Sequence, residues 1–368
     1  MASLGHTVEI LTRRSSIEAP SDQQLAPGAT LRFLDAGPAR PVAKGHHEAF
    51  IDEFRMRMSA LGPYDLIHSH HWFSGMAALP IARRQGIPHL QSFHSIAADE
   101  STSLSAGERA ESAGRMDGEA WLARESDAVV AISAAEAVTV TERLGARPAR
   151  VLVVPPGVDG ALFHPAADVP EGRGYAVVAA RLQPLKGLDL AIEAIAAVPA
   201  AIRPDLVIAG DASDDFAGYV EHLRALAAGH GITGSVRFVG PQSRTNLATL
   251  LRGARVVLIP SHSETFGLVA LEGAASGVPV VAAASGGLLE AVVHGETGLI
   301  VATRDPADWA DSISAILANP ALALRLSLAA RERAEHFDWL RSGVGLLAGY
   351  STLLRPGHTG RLPQLTSV

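Results

Sequence analysis

The sequence predicts an α/β protein of two doubly wound domains with mostly parallel sheets. Three observations carry that prediction. β-branched runs alternate with helical apolar patterns along nearly the whole chain; the alternation restarts after a segment rich in Pro, Gly and charge at residues 163–174; and many runs end in polar or glycine-containing loops that open into helices. The first domain is expected over residues 1–164 and the second over 165–336. A helical pattern at 337–355 is expected to pack back across the boundary, and the tail 356–368 to be loose.

Composition narrows the classes. The chain has 368 residues, 48% hydrophobic and 19% charged, which gives ample core for two domains and excludes a disordered polymer. A net charge of −7 without any Lys/Arg-rich run argues against nucleic acid as main partner. Without cysteine there is no disulfide and no thiolate metal site, which fits a reducing, cytoplasmic setting. The longest apolar stretch, residues 266–284, holds Glu272 and Pro279, so no integral membrane segment is expected. The opening MASLGHTVEILTRR does not read as a secretory signal. Oligomeric state stays open, a homodimer included.

In chain order, Gly5 ends a helix and the alternating residues after it start a strand. A domain that opens this way is expected to lack a first strand, its glycine-rich turn and most of a first helix. A strand follows at 31–36, a loop carrying Lys44 at 37–45 and a helix at 48–61. The strand 64–69 runs into His70, His71 and Trp72, a helix continues through Arg84, and a second strand ends at His94 and Ser95. His68, His70, His71 and His94 therefore lie near the carboxyl ends of two strands, where open α/β sheets place ligands. No HExxH-like pair accompanies them, so no metal or cofactor is expected; His94 reads as a neutral imidazole for a substrate hydroxyl and His68 as a supporting core residue. Residues 100–115 read as polar and helical, 118–124 as helix, 128–133 as strand, 134–144 as helix and 151–155 as strand.

The second half begins with a strand at 175–180. Its loop, RLQPLKG at 181–187, carries Arg181 and Lys186, and a helix follows at 188–197. Further strands are expected at 205–209, 236–239, 255–259, 279–282 and 298–301, with helices at 306–318 and 321–336. The organising stretch is 258–289, where a strand meets a polar loop and then a small-residue helix. The helix start exposes backbone N–H groups of Phe266, Gly267, Leu268 and Val269, which suits a phosphate. Glu264 and Glu272 stand eight residues apart, about 12 Å along a helix and on nearly one side. Carboxylates offer only acceptors and match paired hydroxyls. Phosphate and flanking carboxylates together read as a nucleoside diphosphate sugar site, with Arg181 and Lys186 as cations for the diphosphate. Gly286 and Gly287 mark either a turn or a close backbone approach to a ligand.

RLQPLKG at 181–187, with Glu264 and Glu272 inside SHSETFGLVALEGAASG, resembles the family 4 retaining glycosyltransferases of GT-B fold. The branch acting on inositol phosphate resembles it further through IHSHHWFSG at 67–75, SFHS at 92–95, RMDGE at 115–119 and PPGVD at 155–159. The resemblance implies two Rossmann-like domains facing a cleft, and metal-independent transfer of a hexosyl unit, GlcNAc or Glc, from a UDP-sugar to a cyclitol or sugar-phosphate. It puts Arg181 and Lys186 on the donor diphosphate, Glu272 on the ribose, Glu264 at the donor sugar hydroxyls and His94 at the reacting centre. Lys44, His71, Ser95 and Arg115 fall at the acceptor positions, with His71 where the branch has tyrosine and Ser95 where it has threonine. Transferases that sugar the aminocyclitol 2-deoxystreptamine resemble it too, and a non-catalytic nucleotide-sugar binding protein is the rival of another class. The family's glycine-rich first loop has no counterpart in the sequence, so weak or absent activity is expected of these residues alone. Adding an upstream segment of roughly 30 residues, the size of one βα unit, should raise both activity and melting temperature; no gain in either counts against a missing unit.

Overall fold

The computed structural model describes residues 1–109, 112–166, 174–212, 216 and 218–355. By contacts the chain divides into two units, one of Met1–Ala98, Glu108–Val154 and the residues from Gly343 on, the other of Asp99–Gly107 and Pro155–Ser342.

The first unit opens with β1 (Val8–Arg13), β2 (Asp22–Ala26) and β3 (Ala29–Leu34), then α1 (Ile51–Met58), β4 (Ile67–His70), α2 (Trp72–Gln85), β5 (His89–Ser92), α3 (Arg115–Glu125), β6 (Ala128–Ala131), α4 (Ala134–Glu142) and β7 (Val151–Val153). Its strands form two sheets, β1-β3-β2 and β4-β5-β6-β7. The second sheet is parallel throughout. Among the described residues β1 and β4 each pair along one edge only. The helices between them share one apolar cluster, in which Leu34, Ile51, Phe54, Ile67, Trp72 and Phe93 meet.

In the second unit come β8 (Tyr175–Ala179), α5 (Leu188–Ala197), β9 (Asp205–Ala209), α6 (Tyr219–Gly229), β10 (Val236–Gly240), α7 (Arg244–Arg252), β11 (Val256–Ile259), α8 (Leu268–Ala275), β12 (Val280–Ala283), α9 (Leu288–Ala291), β13 (Gly298–Val301), α10 (Pro306–Ala318) and α11 (Pro320–Ala334). All six strands are parallel, in the order β10-β9-β8-β11-β12-β13. Helices cover the inner strands on both faces, so β11 (VVLI) and β12 (VVAA) are apolar at every position and fully buried. The edge strand β10 alternates in exposure. Strand order reverses between β8 and β11, and the carboxyl ends of those two strands border the crevice where such sheets bind ligands.

The last helix, α12 (Trp339–Leu353), follows. Its Ser342 hydroxyl donates to the Pro155 carbonyl at 2.7 Å. Further on, Leu346, Tyr350 and Leu353 pack on Leu90, Val130 and Leu152. No single helix among the described residues is long and apolar enough to cross a membrane.

Several local expectations need correction. The strand expected at 31–36 runs two residues earlier, because Gly28, at φ 79°, turns it into an unanticipated hairpin with β2. The helix expected at 48–61 is a 3₁₀ turn over Lys44–Phe50 that passes into α1. No helix forms over the described part of 100–114; that polar segment makes turns and helix starts at Arg115. The segment expected as linker is anchored at its start, since Phe163 is fully buried and its carbonyl accepts from Arg331; residues 167–173 and the tail from 356 lie outside the described residues.

One buried group makes folding pH-dependent. His89 lies between the hydroxyls of Ser69 and Ser126, at 2.8 and 3.0 Å. Burial, helped by Arg83, lowers its imidazole to about 3, below an unfolded value of about 6.5. The folded chain thus binds fewer protons than the unfolded one between those values. The stability that neutral His89 contributes is complete above about 6.5 and is lost, by about 1.4 kcal/mol per pH unit, as pH falls toward the folded value. His89→Gln retains hydrogen-bonding capacity without titrating. Its melting temperature should fall less between pH 7 and 4 than that of the parent; parallel curves contradict this.

Candidate active site

At the carboxyl edge of the second unit's sheet, three loops are locked together by glycines. The loop after β8 ends in a 3₁₀ turn, Pro184–Lys186, closed by Gly187 at φ 63°. A Cβ on Gly187 would lie 2.1 Å from the Pro260 carbonyl, so only glycine lets this turn lie against the end of β11. The His262 N–H donates to the Leu185 carbonyl at 2.9 Å and Arg304 to that of Pro260 at 2.6 Å, fixing the two loops side by side. The third loop brings Gly286 and Gly287 against the second. A Cβ on either would lie 2.1 or 2.2 Å from the carbonyl of Glu264 or Thr265. This glycine pair thus approaches the protein's own Glu264 loop, where the expectation had allowed for a ligand; the Glu264 carbonyl accepts the Gly287 N–H at 2.9 Å.

Onto this frame the charged side chains converge. Lys186 Nζ lies 2.7 Å from Glu264 Oε1, and Ser261 Oγ donates to the same oxygen at 2.8 Å. Ser285 in turn donates to the Ser261 carbonyl at 3.0 Å. Arg181 is exposed at the start of the β8 loop. The helix α8 begins at Leu268, with Gly267 at φ 103° as its N-cap. The amides of a helix's N-cap and first turn have no intrahelical acceptor, a group that takes in the Gly267, Leu268 and Val269 N–H groups expected to face an anion. Phe266 lies outside the helix, buried edge-on against Phe337 with centroids 5.7 Å apart.

The helical spacing expected between Glu264 and Glu272 needs correction. Glu264 sits in a loop, and the 1.5 Å rise applies only from Leu268 onward. Glu272 occupies the second turn of α8 and is 4% exposed. Burial raises its carboxyl above the usual range, opposed by Arg244, whose Nη1 lies 2.9 Å from Oε1. Arg244 also stacks 5.0 Å over Phe163. Arg244 and Ser261 escaped sequence reading; only their meeting with the two glutamates in space marks them.

The first unit gathers its candidates at the carboxyl ends of β4 and β5. His71 and His94 adopt φ of 70° and 61°, the non-glycine residues with positive φ among those described. Such strain persists only where the surroundings over-determine it, and it concentrates at functional positions. His70 Nδ1 lies 2.7 Å from His94 Nε2, and the two rings stack at 5.0 Å. Behind them His68 stacks on His70 at 4.5 Å and bridges the Tyr350 hydroxyl, at 2.6 Å, to the Ser92 hydroxyl, at 2.9 Å. Burial lowers all three imidazoles, that of His70 to about 4 with help from His94, so the array is neutral near pH 7. No group of three or more His, Asp or Glu among the described residues is placed to hold a metal ion.

Lys44, His71, Ser95 and Arg115 fall in one neighbourhood. His71 is lowered to about 3 by burial and then by Arg115, Lys44, His94 and His47, which face it. Both of its ring nitrogens are buried without a partner among the described residues. Lys44 is half exposed, with Nζ 3.7 Å from Glu108. Arg115 is fully buried: Nε donates to Glu119 at 2.8 Å and Nη2 to the Ser95 hydroxyl at 3.1 Å.

Two α/β units, the second bearing cations, carboxylates and a helix start at its switch point, define a glycosyltransferase of GT-B fold. The chain belongs to the group 1 glycosyl transferases: the profile "Glycosyl transferases group 1" matches residues 162–333 and that of the "Glycosyl transferase 4-like domain" residues 1–157. It is 38% identical to the D-inositol 3-phosphate glycosyltransferase of Frankia alni, over 97% of this chain and 92% of that one. Among solved structures it is similar to the sucrose-phosphate synthase of Thermosynechococcus elongatus, with 27% identity, a TM-score of 0.85 and coverage of 96% and 90%. It shares the fold of Anabaena HepE, crystallised with UDP and glucose, at 22% identity, TM-score 0.73 and coverage of 88% and 86%.

The buried Arg115–Glu119 pair sets a stability test. The Ala97 N–H also donates to Glu119 at 3.0 Å, so the carboxylate neutralises Arg115 and caps the chain after β5. Glu119→Ala leaves a fully buried guanidinium uncompensated and should cost about 3–5 kcal/mol in denaturant unfolding; a loss below about 1 kcal/mol contradicts the pairing.

Proposed function

We propose that this glycosyltransferase moves a hexosyl unit, GlcNAc or Glc, from a UDP-sugar to a cyclitol or sugar-phosphate hydroxyl, with retention at the anomeric carbon and without a metal. The observation that carries the donor half is the shared oxygen of Glu264, met by Lys186 and Ser261 beside the first turn of α8. In this reading Lys186, Arg181 and the Leu268 and Val269 amides bind the diphosphate. Glu272 accepts from the ribose hydroxyls and Glu264 from those of the sugar. Arrival of the diphosphate gives Lys186 a second anionic partner. As the bond from the anomeric carbon to the β-phosphate oxygen breaks, the acceptor oxygen bonds to that carbon from the same face. The acceptor proton passes to the departing phosphate oxygen, and Lys186 and Arg181 stabilise the negative charge that gathers there. His94, neutral near pH 7, hydrogen-bonds a donor sugar hydroxyl.

An anionic acceptor is supported by two cations, Lys44 and Arg115, facing His71. A second reading takes an aminocyclitol instead. It is favoured by the unpartnered ring nitrogens of His71, which give a neutral imidazole able to accept from an ammonium or hydroxyl.

Radiolabelled UDP-GlcNAc and UDP-Glc incubated with inositol 3-phosphate, with 2-deoxystreptamine or with neither separate the readings. UDP release that depends on inositol 3-phosphate is expected; release only with 2-deoxystreptamine selects the second reading, and none with any acceptor sinks both. Lys186→Ala should lower turnover by at least about a hundredfold, on the scale of a lost charge-stabilising donor, whereas Lys44→Ala should raise the acceptor KM with little change in kcat.

A further inference from the structure

His71 stands where β4 turns into α2, as the N-cap of that helix, with φ 70° and ψ 154°. That corner of backbone space is nearly confined to glycine, because an L side chain there crowds its own peptide, and a residue held in it needs neighbours that fix it. Three hydrogen bonds do so. The His71 N–H donates to the Ser92 carbonyl at 2.8 Å, and the His71 carbonyl accepts from the Gly75 N–H at 3.3 Å. The third comes from a side chain. Gln91 Nε2 donates to the His71 carbonyl at 3.2 Å and, with its other hydrogen, to that of Ser92 at 2.8 Å. One amide nitrogen therefore ties the His71 carbonyl to the acceptor of the His71 N–H, and these groups flank the two dihedrals that define the strained conformation.

Gln91 is fully buried in β5, and its placement has two costs. Its Oε1 is buried without a partner among the described residues, which forfeits the hydration of an acceptor. The same oxygen requires a glycine inside α2, since a Cβ on Gly75 would lie 2.1 Å from it, and glycine weakens a helix interior. The two carbonyls do not need the amide in order to be satisfied, because that of Ser92 already accepts from His71 and that of His71 from Gly75. What the amide adds is the direction of the His71 peptide, and through it of the ring. That ring packs edge-on against Phe73, with centroids 5.3 Å apart, and keeps both nitrogens buried and without a partner among the described residues.

We propose that Gln91 is a positioning residue, whose amide holds the His71 backbone in its strained conformation and so aims the imidazole at the acceptor. This rests on the reading of His71 as an acceptor-binding residue. Gln91 is sealed within the sheet and acts through His71.

Three single variants and one double variant test it. Gln91→Met keeps the length of the side chain and removes both donors, Gln91→Asn draws the amide back by one methylene, and His71→Gly removes ring and strain together. With a UDP-sugar and the acceptor that gives turnover, Gln91→Met and Gln91→Asn should raise the acceptor KM by about tenfold, the scale of one hydrogen bond lost to the acceptor. Their kcat and donor KM should stay within about twofold of the parent. Gln91→Met should melt no lower than the parent, because each carbonyl keeps a backbone donor and the unpartnered oxygen is gone. Adding Gln91→Met to His71→Gly should leave the acceptor KM within about twofold of His71→Gly alone, since the amide has no ring left to aim. A readout independent of turnover is the ¹⁵N spectrum of the histidine rings: the His71 resonances, assigned by their loss in His71→Gly, should move in Gln91→Met and Gln91→Asn. If Gln91→Met does not fold, Gln91→Asn carries the test. Unchanged acceptor KM and ring resonances in both variants overturn the proposal, as does a Gln91→Met effect of the same size with and without His71. A melting temperature that falls together with kcat marks a purely structural amide and overturns it too. Resonances that move while the parent protein transfers nothing to any acceptor instead overturn the functional reading and leave the positioning role standing.

Discussion

One carboxylate oxygen holds the second unit's site in shape. Glu264 Oε1 receives both the Lys186 ammonium and the Ser261 hydroxyl, and those groups come from the loops after β8 and β11, the two strands between which sheet order reverses. A cation and an anion this close, each less than a fifth exposed, attract far more strongly than the same pair in water. The pair alone does not bring the loops together. That depends on Gly187, Gly286 and Gly287, where any side chain would strike a backbone carbonyl. Small residues set the distance, and the ion pair fixes the side chains across it.

The first unit solves a different problem. Its histidines lie in or just past strands β4 and β5, where burial lowers their imidazoles and keeps them neutral, so their ring nitrogens serve as hydrogen-bonding groups instead of charges. A row of stacked imidazoles, His68, His70 and His94, runs from the Tyr350 hydroxyl of α12 to the strained backbone at His94. The cations of this unit are handled separately. Arg115 is neutralised inside the protein by Glu119, while Lys44 keeps half of its side chain in solvent. Neutral donors and acceptors thus stand beside one buried and one half-exposed cation.

Elements with a clear apolar periodicity were legible to within a residue or two. α5, α10, β9 and β13 fall where apolar periodicity placed them, because local preference and tertiary packing agree there. The misplaced elements are those whose conformation is decided elsewhere in the chain. The hairpin of β2 shows five exposed positions and no apolar face, and the described part of the segment before Arg115 makes turns instead of a helix. The residues of the second unit's site were legible because they sit in one loop–helix segment and one short loop. Arg244 and Ser261 were not, since an arginine on a helix and a serine in a loop look alike wherever they occur.

The sequence by itself determined the class of fold, the family through RLQPLKG and the two glutamates, and the residues that gather at each strand end, because those depend on periodicity and short spacing. Only the tertiary structure decided what each charge faces: that Lys186 meets Glu264, that Arg244 covers Glu272, and that Arg115 is sealed against Glu119. The reason is that the energy of a charge or a strained peptide depends on the partner and the dielectric around it, and both come from residues 4 to 78 positions away in the chain.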